Sequence, residues 1–167
     1  EKMKGTKSPL FLYFKMNEKV KDLLEEALAV NESLYLISFE ISTNNRIQIV
    51  IDGDQGVALS ECMRISRNIE NNIDREVYDF SLEVSTPDIA HPIKVKRQYV
   101  KNINRILKVT TAEENFEGTL AEATDDQIVL KWKAREPKPI GKGKVTVEKT
   151  ATLLYTEIKE AKVKIVF

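Results

Sequence analysis

Cysteine and histidine each occur once, as Cys62 and His91. A single thiol excludes an internal disulfide and any cysteine-rich metal centre, and a single imidazole excludes a two-histidine zinc site. It also leaves no second histidine to act as a base, which removes most designs built on a nucleophile, a base and an orienting group. No apolar run approaches the roughly 18 residues that a membrane span takes. The cluster Leu10, Phe11, Leu12, Tyr13, Phe14 is too short for a signal-peptide core followed by a cleavage site. Internal repeats and low-complexity tracts are absent as well. These absences predict a cytoplasmic, monomeric protein without membrane attachment, metal or organic cofactor, and not an enzyme.

What is present is charge, unevenly placed. The 26 Lys/Arg and 26 Asp/Glu cancel over the whole chain. From Met16 to Ala90, however, 15 acids face 6 bases, a net of −9, while His91 to Phe167 has 16 bases against 10 acids, a net of +6. Residues 1–15 supply the remaining +3. Such a step predicts two modules with different tasks, the basic one suited to phosphates or an acidic partner. Halves of about 75 residues each bury only about 60% of their unfolded surface, so each core is small.

Residues 1–15 read as a leader or loose extension, with Met16 a natural start. Asn17 then serves as a helix N-cap, with Val20, Leu23, Leu24, Ala27 and Leu28 on one helical face. Tyr35, Ile37, Phe39 and Ile41 alternate, as do Ile47, Ile49 and Ile51, giving a hairpin turned at Thr43-Asn44-Asn45. A second helix carries Leu59, Cys62, Met63, Ile65, Ile69 and Ile73, and Tyr78, Phe80, Leu82 and Val84 mark a third strand. The order over residues 16–90 is αββαβ. Pro87 and Pro92 break regular structure, and residues 91–103 form a basic connector. Residues 104–167 are all strand: Ile106–Thr110, Phe116–Ala123, Ile128–Lys133, Val145–Tyr155 and Ala161–Phe167, with a helical turn at Thr156–Glu160. Five strands in about 65 residues predict a small closed barrel.

Several candidate sites dissolve on inspection. Asp52-Gly53-Asp54-Gln55-Gly56 begins like a calcium loop, but Met63 stands where the bidentate Glu belongs. Its GxxG also matches the RNA clamp of KH domains, yet Asp52 and Asp54 would repel phosphate, so it reads as a turn into a helix N-terminus. Cys62 lies on an apolar helix face with no charged partner to activate it. His91 reads as an exposed turn residue. Trp132, between Lys131 and Lys133, is a core residue if the lysines face outward, whereas a base-stacking platform would require the opposite facing. Two basic clusters persist. One comprises Lys94, Lys96, Arg97, Lys101, Arg105 and Lys108, with no acid among them. The other comprises Lys131, Lys133, Arg135, Lys138, Lys142, Lys144 and Lys149 against Glu136 and Glu148, and its middle has the Pro and Gly of a projecting loop. Two such clusters on one module point to ribosomal RNA or a ribonucleoprotein surface.

The stretch Phe80–Ile93, FSLEVSTPDIAHPI, resembles the junction of the ribosome maturation factor RimP family, whose members join a strand ending in LEVSSPG to a turn of the type LDRPL. IVIDGDQGVALSECMRISRNIE is similar to the family's strand and helix, RQYVKNINRILKV to its connector and first barrel strand, and YTEIKEAKVKIVF to its closing segment. The resemblance, to a Bacteroidetes-like member, runs from about Met16 to Phe167. Asp88, Ala90 and His91 replace the usual Gly, Asp and Arg or Lys, so a salt-bridge pair at the junction is lost. Ala58 stands where a Thr commonly caps the second helix, and the loop Ala134–Lys144 is longer than usual.

The resemblance implies an α+β protein of two domains, a KH-like α/β domain followed by an Sm-like or SH3-like small β-barrel. It implies a non-enzymatic factor for assembly of the small (30S) ribosomal subunit. Its partners would be the 30S precursor, 16S ribosomal RNA and a basic ribosomal protein of the decoding region. The expected binding residues are Lys94, Lys96, Arg97, Lys101, Arg105, Lys131, Lys133, Arg135, Lys138, Lys142 and Lys144. Ser85, Pro87, Asp88, His91 and Pro92 would form the interdomain junction. The competing reading is a stand-alone Sm-like RNA-binding module unconnected with ribosome assembly.

Overall fold

The computed structural model describes residues 8–166. The chain divides into two compact units between Pro87 and Asp88, inside the STPDIAHP segment.

In the first unit, helix α1 spans Pro9–Ala29. It begins eight residues before the expected cap at Asn17: Ser8 is the N-cap, its hydroxyl accepting from Phe11 N at 3.2 Å, and Pro9 takes the first turn, where its missing N–H costs nothing. Residues 9–15 are thus helical instead of a loose extension, and residues 1–7 of the expected leader lie outside the described residues. Met16, Val20, Leu24 and Ala27 form the buried stripe. Strand β1 (Leu34–Ile41) pairs antiparallel with β2 (Arg46–Gly53), as the alternation predicted. Helix α2 (Leu59–Asn72) starts at Ala58, which supplies no side-chain cap, and buries Cys62, Ile65 and Ile69. β3 (Ser81–Ser85) lies parallel to β2, giving the sheet order β1-β2-β3. It is shorter than Tyr78–Val84 alternation suggests, because Tyr78 N donates to Asp74 O at 2.9 Å and Arg75 reaches Phe80 O at 2.8 Å, holding residues 74–80 in a turn.

The two helices are locked by side chains that satisfy the α1 backbone. Arg64 Nη1 donates to Ala27 O at 2.9 Å and Asn68 Nδ2 to Leu23 O at 3.1 Å. Arg64 is oriented in turn by Glu61 at 2.7 Å, which holds the Glu61 carboxyl below the usual carboxylate range. Ile47, Ile49 and Ile51 of β2 are fully buried beneath α1 and α2.

The second unit opens with α3 (Lys96–Lys101), a helical turn within the expected connector, and continues with β4 (Ile106–Thr111), β5 (Asn115–Ala123), β6 (Gln127–Pro137), β7 (Lys144–Leu154), a 3-10 turn (Tyr155–Glu157) and β8 (Ile158–Val163). The sheet is antiparallel in the order β7-β6-β5-β4-β8. Among the described residues no rung joins β7 to β8, so the expected closed barrel is an open five-stranded sheet. It still wraps one core: Leu153 of β7 packs in the same cluster as Ala161 and Val163 of β8, with Leu107, Leu120 and Leu130 between. Register shifts at Leu120/Glu122 and Thr110/Thr111 bend the ladder toward that core. β7 and β8 stand at the two edges of the sheet, and the 3-10 turn carries the chain from one edge to the other.

The turn from β2 into α2 is sterically tight. A methyl at Gly53 would overlap the Gly56 carbonyl oxygen, whereas Gly141 and Gly143 have φ of +88° and +100° but open space around them. Gly53→Ala is expected to lower the unfolding free energy of the full chain by roughly 2 kcal/mol, and Gly141→Ala by about 1 kcal/mol through backbone strain alone. Urea unfolding followed by circular dichroism checks the order; equal losses would show that the Gly53–Gly56 turn relaxes freely.

Candidate nucleic-acid interface

Both basic clusters belong to the second unit, but the fold uses them differently. The first is built around α3. Gln98 is buried and its Oε1 accepts from Lys94 N at 2.8 Å and Val95 N at 3.1 Å, closing the helix start. Asn102 Nδ2 returns to Gln98 O at 2.7 Å. Tyr99 plugs the turn into the core, its ring 5.1 Å from that of Tyr155. Lys94, Lys96 and Arg97 are consequently held on the surface and Lys101 half-buried. Lys96 is already engaged: its Nζ donates to Asp125 O at 2.7 Å and lies 5.2 Å from the Tyr155 ring. Arg105 is exposed just before β4, in a segment that pairs with β5 through Leu120 N to Arg105 O at 2.9 Å.

The second cluster is a β-ribbon. β6 and β7 pair without interruption from Gln127–Leu154 to Pro137–Lys144, so the expected loop Ala134–Lys144 shrinks to residues 138–143, closed by Lys138 N to Gly143 O at 3.1 Å. Period-two alternation decides the facing. Trp132 and Ala134 are half-buried, Trp132 meeting Phe116 edge-on at 6.1 Å, while Lys131, Lys133 and Arg135 are exposed. The lysines face outward and Trp132 belongs to the core, which removes it as a base-stacking platform. Opposite these cations stand Thr150, Glu148 and Thr146, and Arg135 donates to Thr146 Oγ1 at 3.1 Å. Lys138, Lys142 and Lys144 extend the charge to the tip, where Ile140 is 90% exposed.

Ion pairing sharpens the contrast. The acids Glu136, Glu160 and Glu117 are neutralised by Lys149, Lys162 and Lys164, and the last pair holds the Glu117 carboxyl below its usual range. None of these pairs uses the outward cations of the ribbon. Lys131, Lys133, Lys138, Lys142 and Lys144 have no ion-pair partner among the described residues. Alternation along β6 and the Pro/Gly tip carried this in the sequence; the exposed Ile140 was overlooked because nothing marks an isolated aliphatic residue as exposed.

The junction residues fall on both units. Ser85 ends β3 opposite Val50, and Pro87 closes the first unit. In the second, Asp88 Oδ1 accepts from Ala90 N at 3.0 Å and Asp88 O from His91 N at 2.9 Å, so Asp88 shapes its own turn. His91 and Pro92 are exposed, and Ile93 N beyond them donates to Ala161 O at 2.8 Å. The first unit has its acidic excess spread over residues 16–90, a net of −9, with Glu18, Asp22, Glu25 and Glu26 exposed on α1 beside Lys15, Lys19 and Lys21. Its Cys62 thiol is buried, which pushes its pKa up, with Glu61 adding to the effect. A thiol in that state is a core group. Among the described residues no cluster of His, Cys, Asp and Glu is suited to a metal, and no helix is long and apolar enough to cross a membrane.

Residues 20–90 match the RimP N-terminal domain family. The chain is 53% identical over 152 residues to the ribosome maturation factor RimP of Christiangramia forsetii, covering 91% of this chain and 99% of that protein. It is 49% identical over 150 residues to the protein of the same description from Flavobacterium psychrophilum, covering 90% and 97%. For the Porphyromonas gingivalis protein the identity is 32% over 146 residues, with coverage of 86% and 95%.

The α3 anchor has a pH signature. Burial, with Tyr155 adding to it, pushes the Tyr99 phenol up to about 12, whereas an unfolded tyrosine ionises near 10. Since only the unfolded chain releases the proton in that window, stability is full below pH ~10 and falls as pH rises toward ~12, by up to ~1.4 kcal/mol per pH unit. Tyr99→Phe is expected to flatten this decline in denaturant titrations at successive pH values. Parallel curves for the two proteins would contradict it.

Proposed function

Given that the chain belongs to the ribosome maturation factor RimP family, we propose that it acts in maturation of the small ribosomal subunit as a cytoplasmic, monomeric, non-enzymatic adaptor. It binds the immature 30S particle and assists a basic ribosomal protein of the decoding region onto 16S ribosomal RNA. The observation that carries the reading is the unpaired basic ribbon of the second unit, on a chain whose first unit has an acidic exterior. Phosphates of a large RNA release counterions to such a ribbon, while an acidic surface attracts the lysine- and arginine-rich extensions of a ribosomal protein.

Within this reading, Lys131, Lys133, Arg135, Lys138, Lys142 and Lys144 supply most of the RNA contact, with Lys94, Arg97, Lys101 and Arg105 adding to it from the base of the unit. Lys96 serves the fold first, through Asp125 and Tyr155. Ser85, Pro87, Asp88, His91 and Pro92 set the connection between the two modules.

Sedimentation of cell extract is expected to place the protein with free small subunits and not with translating ribosomes. An even distribution over all fractions would sink the assembly role. Reversing charge at Lys138, Lys142 and Lys144 together is expected to weaken binding to purified small subunits by roughly tenfold or more at about 0.1 M salt, and unchanged affinity would remove the ribbon tip from the site.

A further inference from the structure

The ribbon combines a cationic face suited to phosphates with an apex that phosphate binding does not require. Its outer face carries six cations, Lys131, Lys133, Arg135, Lys138, Lys142 and Lys144, against the unpaired Glu148. Its apex is Ile140, 90% exposed between Pro139 and Gly141, with Val145 nearby in sequence at 39%. An isoleucine left almost wholly in water gives up the stabilisation that burial of its side chain would contribute.

We infer that the β6–β7 ribbon is an RNA-engaging finger whose cations track phosphates and whose Ile140 packs against a nucleobase left unstacked at a bulge, loop or helix end. The inference rests on the ribosomal reading above and deepens it to a class of RNA element. Three physical points select that occupant. A protein partner would need an apolar interface core, and one isoleucine with a half-exposed valine is far short of the ~800 Å² per partner of a stable protein interface. A regular A-form duplex does not fit either, since its major groove is too narrow to admit a ribbon and its bases are stacked away from an apolar tip. An unpaired nucleotide offers both what the cations want and a flat apolar face not already covered by a stacked neighbour.

The geometry supports a tip that reaches outward while its base stays fixed. Pairing of Trp132 with Lys149 and of Ala134 with Val147 continues the core sheet into the ribbon, and Glu136 is tied to Lys149 across it. The positive φ of Gly141 and Gly143 lets the chain reverse directly after Ile140 with nothing crowding either position.

The test uses the full chain and two short hairpin RNAs that differ only in one bulged nucleotide, with affinity read by fluorescence anisotropy from about 50 to 200 mM salt. Ile140→Ser is expected to weaken binding to the bulged RNA roughly fivefold and to the fully paired RNA less than twofold, leaving the salt slope unchanged. Ile140→Leu should restore the wild-type preference. Replacing Lys138, Lys142 and Lys144 by Ser should reduce the slope of log affinity against log salt by about 2 on both RNAs. Because Ile140 is exposed, thermal melts of the serine variant should superimpose on those of the parent. Equal affinity of the parent and Ile140→Ser for the bulged RNA overturns the base contact, and an unchanged slope in the lysine variant overturns the phosphate contact. Loss of small-subunit binding by Ile140→Ser without any loss on RNA would assign the apex to a protein and overturn the inference too. A parent protein that co-sediments with free small subunits, with both variants undiminished, leaves the maturation role standing and removes the finger; a parent absent from those fractions removes the role, while the anisotropy data still decide the finger.

Discussion

The two-residue period of β6 is the constraint on which the second unit depends. One register places Ile128, Leu130 and Trp132 over the core and sends Lys131, Lys133 and Arg135 to the opposite face. A slip by one residue would bury three cations and expose the tryptophan, a change no pairing elsewhere could offset. The same register sets the β7 partners, so that Glu148 and two threonines, in place of further acids, lie beside the cations. Core and charged surface are two consequences of one alternation.

The charge step along the chain acquires its meaning from this arrangement. A net of +6 over His91–Phe167 would be modest if it were spread evenly. Lys149, Lys162 and Lys164 are neutralised by acids of their own unit, and Lys96 is held by Asp125 and Tyr155. Six of the cations without a carboxylate partner, Lys131, Lys133, Arg135, Lys138, Lys142 and Lys144, lie together on the ribbon and its tip, where the local field exceeds what the net figure implies. The first unit behaves in the opposite sense. There Arg64 is drawn to the end of α1 and Arg75 to the Phe80 carbonyl and ring, while Arg67 and the α1 lysines Lys15, Lys19 and Lys21 stay exposed, so the acidic balance belongs to the unit as a whole and not to α1 alone.

Strong periodicity was legible and weak periodicity was not. α2, β1, β2 and β4–β7 follow from spacing, because each has one face in a core and the pattern must show it; β8 was misplaced, since it begins at Ile158 inside the expected Thr156–Glu160 turn, which is confined to Tyr155–Glu157, and ends at Val163. α1 was legible only from Asn17 onward. Its first two turns expose Leu10 and Phe14 at 64% and 57%, so the run Leu10–Phe14 has no amphipathic signature; the Ser8-Pro9 pair was the available start signal. α3 escaped because six residues are too few for a period, and its anchor is a single tyrosine. Barrel closure could not be read at all, since alternation reports which face of a strand is buried and not which edge it pairs. The ribbon length was hidden for a similar reason: Pro137 and the glycines mark the turn, but pairing up to Pro137–Lys144 depends on a partner strand that has no buried face there to announce it.

Placing the cations on a two-stranded ribbon and not on the sheet proper has a kinetic consequence. Ribbon residues beyond Trp132 contribute little to the core, so charge there costs the fold little and stays fully hydrated when unbound. Contacts of that kind raise encounter rates with a polyanion and are screened by salt, since much of their free energy is counterion release. They hold a partner firmly only while many phosphates are presented together. Under the function proposed above, a factor that joins an incomplete ribonucleoprotein particle and leaves the complete one would be served by this design, because covering or rearranging the RNA would withdraw several weak contacts at once and speed dissociation without any chemical step.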